Sequence, residues 1–299
     1  MKKVSIGSWA YIFGEYAKNP IPLSTICERL KELKFDGISL GGFRPHAHPD
    51  DWGTPEKMAE LKAMLADNNL EVADYAADLW SVNAILQREE YMTIFNKNVD
   101  FCDKMGFGII RVDSDAPPKL PDGMTYDAVK AYYVKLFKEC AQIAAKKNLM
   151  LIWEFEPGFI INEPKNIVEV AKAVNEPNFK ILFDTCHAHM SAVEGANHIE
   201  PGCTLKGGIV EFCEMLDGLI GIVHVIDSDG TLNSQNTSTH APFGLGIINF
   251  DEVIPALLDK AHYETDWWAI DLCEWGDAWE STELCKNFVD KEINEKFCK

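Results

Sequence analysis

Arginine is scarce in this chain. Only Arg29, Arg44, Arg88 and Arg111 occur in 299 residues, and the net charge is −19. Nucleic-acid binding draws most of its strength from neutralising phosphates, so this balance argues against a DNA or RNA partner. No Lys/Arg cluster stands out that would build a local basic groove. Long apolar runs are also missing. Nothing approaches the roughly 20 residues needed to span a bilayer, so no membrane partner is expected. The nine cysteines are scattered, odd in number and without a Cys-x-x-Cys pair. That pattern fits reduced thiols in a cytoplasmic protein better than a disulfide framework. Met1-Lys2-Lys3 precedes an apolar run, as in a secretory leader. Gly7, Ser8, Gly14 and Glu15 interrupt it, and no small-residue cleavage site follows. The run reads instead as a first strand. No glycine fingerprint follows it, which disfavours an open doubly wound sheet.

What the chain does have is a repeated alternation of strand and helix signals, with 47% hydrophobic residues to fill a core. Candidate strands cover residues 4–10, 38–40, 70–75 and 109–112, followed by four apolar runs at 149–153, 180–183, 219–223 and 267–270. Short apolar runs of this kind read as buried parallel strands. Between them lie helix signals. Thr25-x-x-Glu28 looks like a capping box, and Thr54-Pro55 like an N-cap followed by a first-turn proline. Further helices are expected near 95–105, 126–147, 165–174, 209–216, 251–261 and 281–297. Eight strand–helix units, about 37 residues each, predict a single (β/α)8 TIM barrel spanning 1–299 as one domain. Two long loops, 191–208 and 228–246, would cover its C-terminal mouth.

The last four apolar runs each stop at a metal-capable side chain: Glu154, Asp184, His224 and Asp271. In such a barrel, hard ligands at the ends of successive strands converge on one site. Three carboxylates and an imidazole suit Mn²⁺ first, with Mg²⁺ and Co²⁺ as alternatives. Zn²⁺ is a further option, although it more often sits among nitrogen and sulfur ligands.

The neighbours of these residues add candidates. Glu156 falls on the same side of its strand as Glu154, by period-two alternation. The competing reading of the pair is two solvated loop acids. Asp184 competes with a plain helix cap. His187, three residues on, suits contact with a substrate hydroxyl or passage of a proton. His189 reads as structural. His224 alone would read as a core histidine, and the other strand ends shift it to a ligand. Asp227 is a candidate to orient that imidazole or to touch substrate. Asp271 and Glu274 differ in strand parity, so one is expected to reach the metal. Asp271, directly after the apolar run, is favoured, leaving Glu274 for substrate. His240 is a further substrate-contact candidate.

Four motifs carry a family resemblance. They are Glu154-Phe-Glu-Pro-Gly-Phe-Ile-Ile-Asn162, Asp184-Thr-Cys-His187, His224-Val-Ile-Asp227 and Pro242-Phe-Gly-Leu-Gly246. They resemble the xylose isomerase-like barrel superfamily of sugar isomerases, ketose 3-epimerases, inosose dehydratases and abasic-site endonucleases. The resemblance covers the last four strands. It implies Glu154, Asp184, His224 and Asp271 as metal ligands and His187 as a substrate-contacting histidine. In the epimerase branch, the first and last carboxylates also act as an acid/base pair on opposite faces of the sugar. One departure is Asp271, where the family usually has Glu. Its reach is shorter by about 1.5 Å, which leaves room for Glu156 or Glu274 as base. Another is the absence of Lys or Arg between His224 and Gly246. A sugar phosphate would want cations there, so a neutral free sugar or glycoside fits better. Trp9, Tyr11, Phe13, Trp80, Trp275 and Trp279 are candidates to stack on a sugar face or an aglycone.

The leading expectation is a divalent-metal-dependent isomerase or epimerase acting through an enediolate-type proton transfer. The alternative is a lyase of the same superfamily, dehydrating a keto-inositol or cleaving a 3-keto glycoside as in C-glycoside-deglycosidase-like members. A non-catalytic sugar-binding barrel is a weaker third reading. An endonuclease would gather more histidine ligands, and a Schiff-base aldolase would have Lys180 at the wrong strand end. Homo-oligomers are common in the superfamily and are expected here by analogy.

Overall fold

Ten short segments become strands in the computed structural model, which describes residues 1–298. They are β1 (Lys3–Ile6), β2 (Gly37–Gly41), β3 (Glu71–Ala76), β4 (Ile109–Asp113), β5 (Met150–Glu154), β6 (Phe179–Asp184), β7 (Ile220–Val225), β8 (Asp227–Leu232), β9 (Ser238–Ala241) and β10 (Trp267–Ile270). Eight of them form one parallel sheet in the order β1-β10-β7-β6-β5-β4-β3-β2. A parallel bridge between Gly7 and Ser39 brings the two edges together, so the sheet nearly closes on itself. Helices such as Leu23–Glu32, Pro55–Asp67, Arg88–Met105, Tyr126–Ala145 and Pro164–Val174 return the chain between strands. The architecture is a (β/α)8 TIM barrel.

Alternation along the strands explains where the site sits. Ile152, Leu182, Ile222 and Trp267 form an apolar plug inside the barrel with Ala73. Their neighbours Trp153, Phe183, Val223 and Trp268 face the helices, where Trp153 meets Phe137 at 5.1 Å and Phe183 meets Phe212 at 5.6 Å. Each such buried side chain stabilises the fold by about 1.5–3 kcal/mol. Two residues beyond Ile152, Leu182 and Ile222 come Glu154, Asp184 and His224 on the same inward side. The plug therefore forms the floor on which the polar cluster stands.

Several local expectations are corrected. The first strand stops at Ile6 rather than running to residue 10, and Ser8–Tyr11 is a 3-10 turn. The Trp9 indole folds back over Gly7, where a Cβ would lie 2.4 Å from it. Thr25 does not cap a helix, because that helix already starts at Leu23 after Pro22. Thr54 does cap, accepting the Lys57 N–H at 3.3 Å. The loop at 228–246 holds an antiparallel hairpin, β8–β9, outside the barrel sheet. Asp184 leads straight into a short helix, Thr185–His189, and accepts the His187 N–H at 2.9 Å. Among the described residues no helix is long and apolar enough to cross a membrane.

Candidate metal centre and active-site cavity

Glu154, Asp184, His224 and Asp271 are all buried, and one potential ligand atom from each lies within 4.8 Å of the others. Register places Asp184 beside His224 across β6 and β7. His224 Nδ1 stands 3.5 Å from Glu154 Oε1 and 3.3 Å from Asp271 Oδ2. Its other nitrogen faces Asp74 Oδ2 on β3 at 3.8 Å. Asp74 is itself held by the Ser39 hydroxyl. Trp9 stacks on the His224 ring at 5.6 Å and donates its Nε1–H to Asp271 Oδ1 at 3.0 Å. The Cys273 N–H adds a second bond to Asp271 at 2.8 Å.

This donor set fits a divalent cation. Glu154 Oε1, Asp184 Oδ2 and both His224 nitrogens are buried without a hydrogen-bond partner. Buried polar atoms are ordinarily satisfied, so a cluster of orphans aimed at one point calls for a ligand. Charge points the same way. Burial, joined by the charges of Asp271 and Glu154, pushes the Asp184 carboxyl up to about 7. Burial acts the same way on Asp271, but the nearby His240 and His224 override it and hold that carboxyl well below its usual range. The Asp184 and Asp271 charges in turn overcome burial at His240 and raise its imidazole to about 9. A cation at the centre would relieve the repulsion among the carboxylates.

A second group of residues was not anticipated. Arg111 and Asp113 are buried on β4, two residues apart and therefore on one side of the strand. Arg111 Nη1 lies 2.5 Å from Glu154 Oε2. Its Nε and Nη2 grip Asp113 at 2.8 and 3.1 Å. Asp113 Oδ2 also accepts the Trp80 indole N–H at 2.8 Å, and the guanidinium lies 5.7 Å from the Trp80 ring centre. A continuous set of contacts thus runs from Trp80 at the mouth to Glu154. Arg111 is the one lysine or arginine lining the two spaces above the cluster, and carboxylates on both sides neutralise it. The scarcity of arginine concealed it in the sequence. Its signal was a charged residue within an apolar strand.

Glu156 reaches inward above Glu154. Its Oε2 is 3.5 Å from His187 Nε2 and accepts the Thr237 hydroxyl at 2.8 Å. Burial and then the charge of Glu154 push its carboxyl up to about 8. His187 Nδ1 pairs with Ser238 Oγ at 2.8 Å. Burial, reinforced by the positive His240, holds the His187 imidazole well below its ordinary value. His240, from β9, stands 3.4 Å from Asp271 and 3.9 Å from Asp184.

Other sequence candidates lie elsewhere. Glu274 is outside the four-residue cluster. It sits at φ 61°, accepts the Asn233 side-chain N–H at 2.8 Å and lines the outer cavity. Tyr11, expected at the substrate, is fully buried and pairs with Thr282 at 2.7 Å, with Trp279 packed edge-on at 5.6 Å. The 3-10 turn after Gly7 carries it toward the C-terminal helix. Asp227 lines neither space above the cluster, and its carboxylate is bonded to its own loop rather than to His224. Its carboxylate accepts the N–H groups of Ser228, Gly244, Gly246 and Ile248. It therefore anchors the loop that carries the hairpin.

Two connected spaces open above the cluster. The inner one, about 30 Å³, is lined by Trp9, Arg111, Glu154, His187, His240 and Asp271 among others. The outer chamber is about 350 Å³. They share Trp80, Glu156, Thr237 and Cys273.

With barrel and polar cluster in place, comparison with known proteins gives the family. The model for the xylose isomerase-like TIM barrel matches residues 27–282. The chain belongs to that family. It is 23% identical over 258 residues to a 3-dehydroshikimate dehydratase from Bacillus anthracis, covering 83% of this chain and 86% of the relative. It is 19% identical over 249 residues to a fructoselysine 3-epimerase from Shigella flexneri, covering 81% and 83%. Among solved structures, the IolI protein with a bound zinc atom superposes with a TM-score of 0.76 at 18% identity, covering 99% of this chain and all of that one. The relatives thus include both an epimerase and a dehydratase.

Proposed function

We propose that this chain is a divalent-metal-dependent enzyme that removes a proton beside a carbonyl of a non-phosphorylated, sugar-type substrate. The Glu156–His187 pair carries the proposal: two buried proton carriers 3.5 Å apart, beside the clustered donors. Glu154, Asp184, His224 and Asp271 would hold the ion, with Mn²⁺ favoured by the oxygen-rich set. The bound ion would supply Lewis-acid polarisation of a carbonyl and its neighbouring hydroxyl. His187, uncharged, takes the proton at Nε2, while Ser238 fixes the ring through Nδ1. Glu156, held by Thr237, receives or returns it. The neutralised state of Arg111 argues against a phosphorylated substrate.

An isomerase or epimerase and a lyase share this first step. One observation favours the lyase. Epimerisation needs proton carriers on both faces of the carbon, but Arg111 clamps Glu154 and Trp9 with the Cys273 N–H clamps Asp271. The mobile proton inventory lies on the Glu156–His187 side. After abstraction, a leaving group on the adjacent carbon departs with its bonding electrons and takes its proton from Glu156.

The test is product analysis with Mn²⁺ present, across ketoses, inososes and 3-keto glycosides. Elimination releases water or an aglycone, whereas isomerisation conserves mass. Glu154→Gln and Asp184→Asn should each lower bound metal and abolish turnover. Full activity with wild-type metal content in either variant would falsify the site. The cysteine pattern supports a cytoplasmic setting, and residues 1–299 are read as one catalytic domain.

A further inference from the structure

We propose that the outer chamber is a subsite for a neutral, planar apolar group attached to the sugar, so that the substrate is a two-part, glycoside-like molecule. This deepens the proposed sugar chemistry, but it rests on observations of its own. The inner space, about 30 Å³, has room for about two or three waters and not for a sugar ring. Only the reacting atoms fit there. The chamber beyond it, about 350 Å³, is the size that receives whole small-molecule ligands, roughly 300–1,000 Å³.

The chamber has two kinds of wall. Glu156, Gln235, Thr237 and Glu274 cluster around the hairpin and offer hydrogen bonds to hydroxyls. Phe13, Leu79, Trp80, Val82 and Phe159 offer only apolar surface, apart from the indole N–H. That N–H is already held by Asp113. The Trp80 ring stacks on Phe13 at 5.8 Å, and Phe43 backs both at 4.8 and 5.2 Å. The wall is therefore built before any ligand arrives, yet Trp80 remains 47% exposed. A bare sugar would leave this surface wet, whereas a planar ring stacked on it removes it from water.

Charge narrows the class further. No unpaired cation lines the chamber, so a phosphate or carboxylate substituent has no partner. Asp115 is engaged by the Ala84 and Ile85 N–H groups, and Asp113 by Arg111 and Trp80. These acids build the wall rather than await a positive ligand.

Calorimetry on the Mn²⁺-loaded chain tests this with methyl, phenyl and 2-aminoethyl β-D-glucopyranosides. The phenyl glycoside should bind about tenfold more tightly than the methyl glycoside. Trp80→Ala and Phe159→Ala should each bring that ratio toward one. Trp80 is half exposed, so its removal leaves the core intact, and Phe159→Ala checks the wall without touching Asp113. Equal binding of phenyl and methyl glycosides overturns the proposal. So does no measurable phenyl binding, tighter aminoethyl binding, or an unchanged ratio in both variants. Equilibrium binding needs no turnover, so failure of the proton-transfer reading leaves this result standing. Turnover of free sugars without a phenyl preference sinks this proposal alone.

Discussion

Arg111 and Glu154 form a buried ion pair at 2.5 Å, although Glu154 also faces the candidate metal centre. One oxygen is held by the guanidinium, and the other remains without a hydrogen-bond partner. The carboxylate therefore presents a single free oxygen to the centre.

Removing Arg111 should expose the cost of that arrangement. Arg111→Met leaves Asp113 and Glu154 as uncompensated buried charges. Breaking a buried pair in this way destabilises by about 3–5 kcal/mol. The double variant Arg111→Met/Asp113→Leu should recover part of the loss, because it removes one of the stranded charges. Denaturant melts of the four proteins in the cycle measure the coupling. Equal stability of the two variants would count against the pairing.

Asp74 stands behind His224, 3.8 Å from Nε2. Carboxylates in this position fix the tautomer and orientation of a ligand imidazole. Asp74→Ala should weaken Mn²⁺ binding by about 10–100-fold without abolishing it. Titration calorimetry reads this directly. Wild-type affinity in the variant would show that His224 needs no such support.

His46 makes stability depend on pH. Its Nε2 donates to the Ile21 carbonyl at 3.0 Å, its Nδ1 is buried without a partner, and burial lowers its imidazole below the ordinary 6.5. A group depressed on folding contributes fully above its unfolded value, and the contribution is lost as pH falls. Stability should therefore drop below about pH 6.5, by up to about 1.4 kcal/mol per pH unit for this one proton. His46→Gln keeps the bond to Ile21 and should flatten the drop between about pH 7.5 and 5. Parallel thermal melts decide it: identical drops in the two proteins would assign the effect to other groups.

Gly246 has no room for a side chain. A Cβ there would lie 2.3 Å from Asp227 Oδ1 and 2.5 Å from the Ser228 carbonyl. Neither can yield, because Asp227 is tied by four N–H groups. Gly246→Ala should cost about 1–3 kcal/mol, as overpacking does. It should also make residues 228–246 more sensitive to protease. Unchanged cleavage there would mean that Asp227 does not hold the loop.

Much of this was legible because both faces of the barrel strands are buried. That produced the apolar runs at β5, β6, β7 and β10, and the polar residue closing each run fell at the same barrel end. Tyr11 was misplaced because strand alternation stops at Ile6, where Trp9 folds over Gly7. Asp227 was misplaced because the chain leaves the barrel sheet after Val225, so nearness in sequence no longer meant nearness to the centre. Arg111 and Asp113 were overlooked despite obeying the same parity that paired Glu154 with Glu156. Their partners, Trp80 and Glu154, lie 33 residues before Asp113 and 43 residues after Arg111, and no local pattern joins them.

The hairpin β8–β9 carries Ser238 and His240, and Thr237 just before them, into the site. Asp227 locks both ends of this excursion through bonds that begin and finish within residues 227–248. The segment thus fastens its own ends, while Thr237, Ser238 and Asn233 reach across to Glu156, His187 and Glu274 just beyond the strand ends. A segment tied off in this way can vary at its tip while the cluster of Glu154, Asp184, His224 and Asp271 stays in place. Barrels with the same cluster can then diverge in what they accept, and a graft of residues 227–248 is a natural unit for redirecting one toward another substrate.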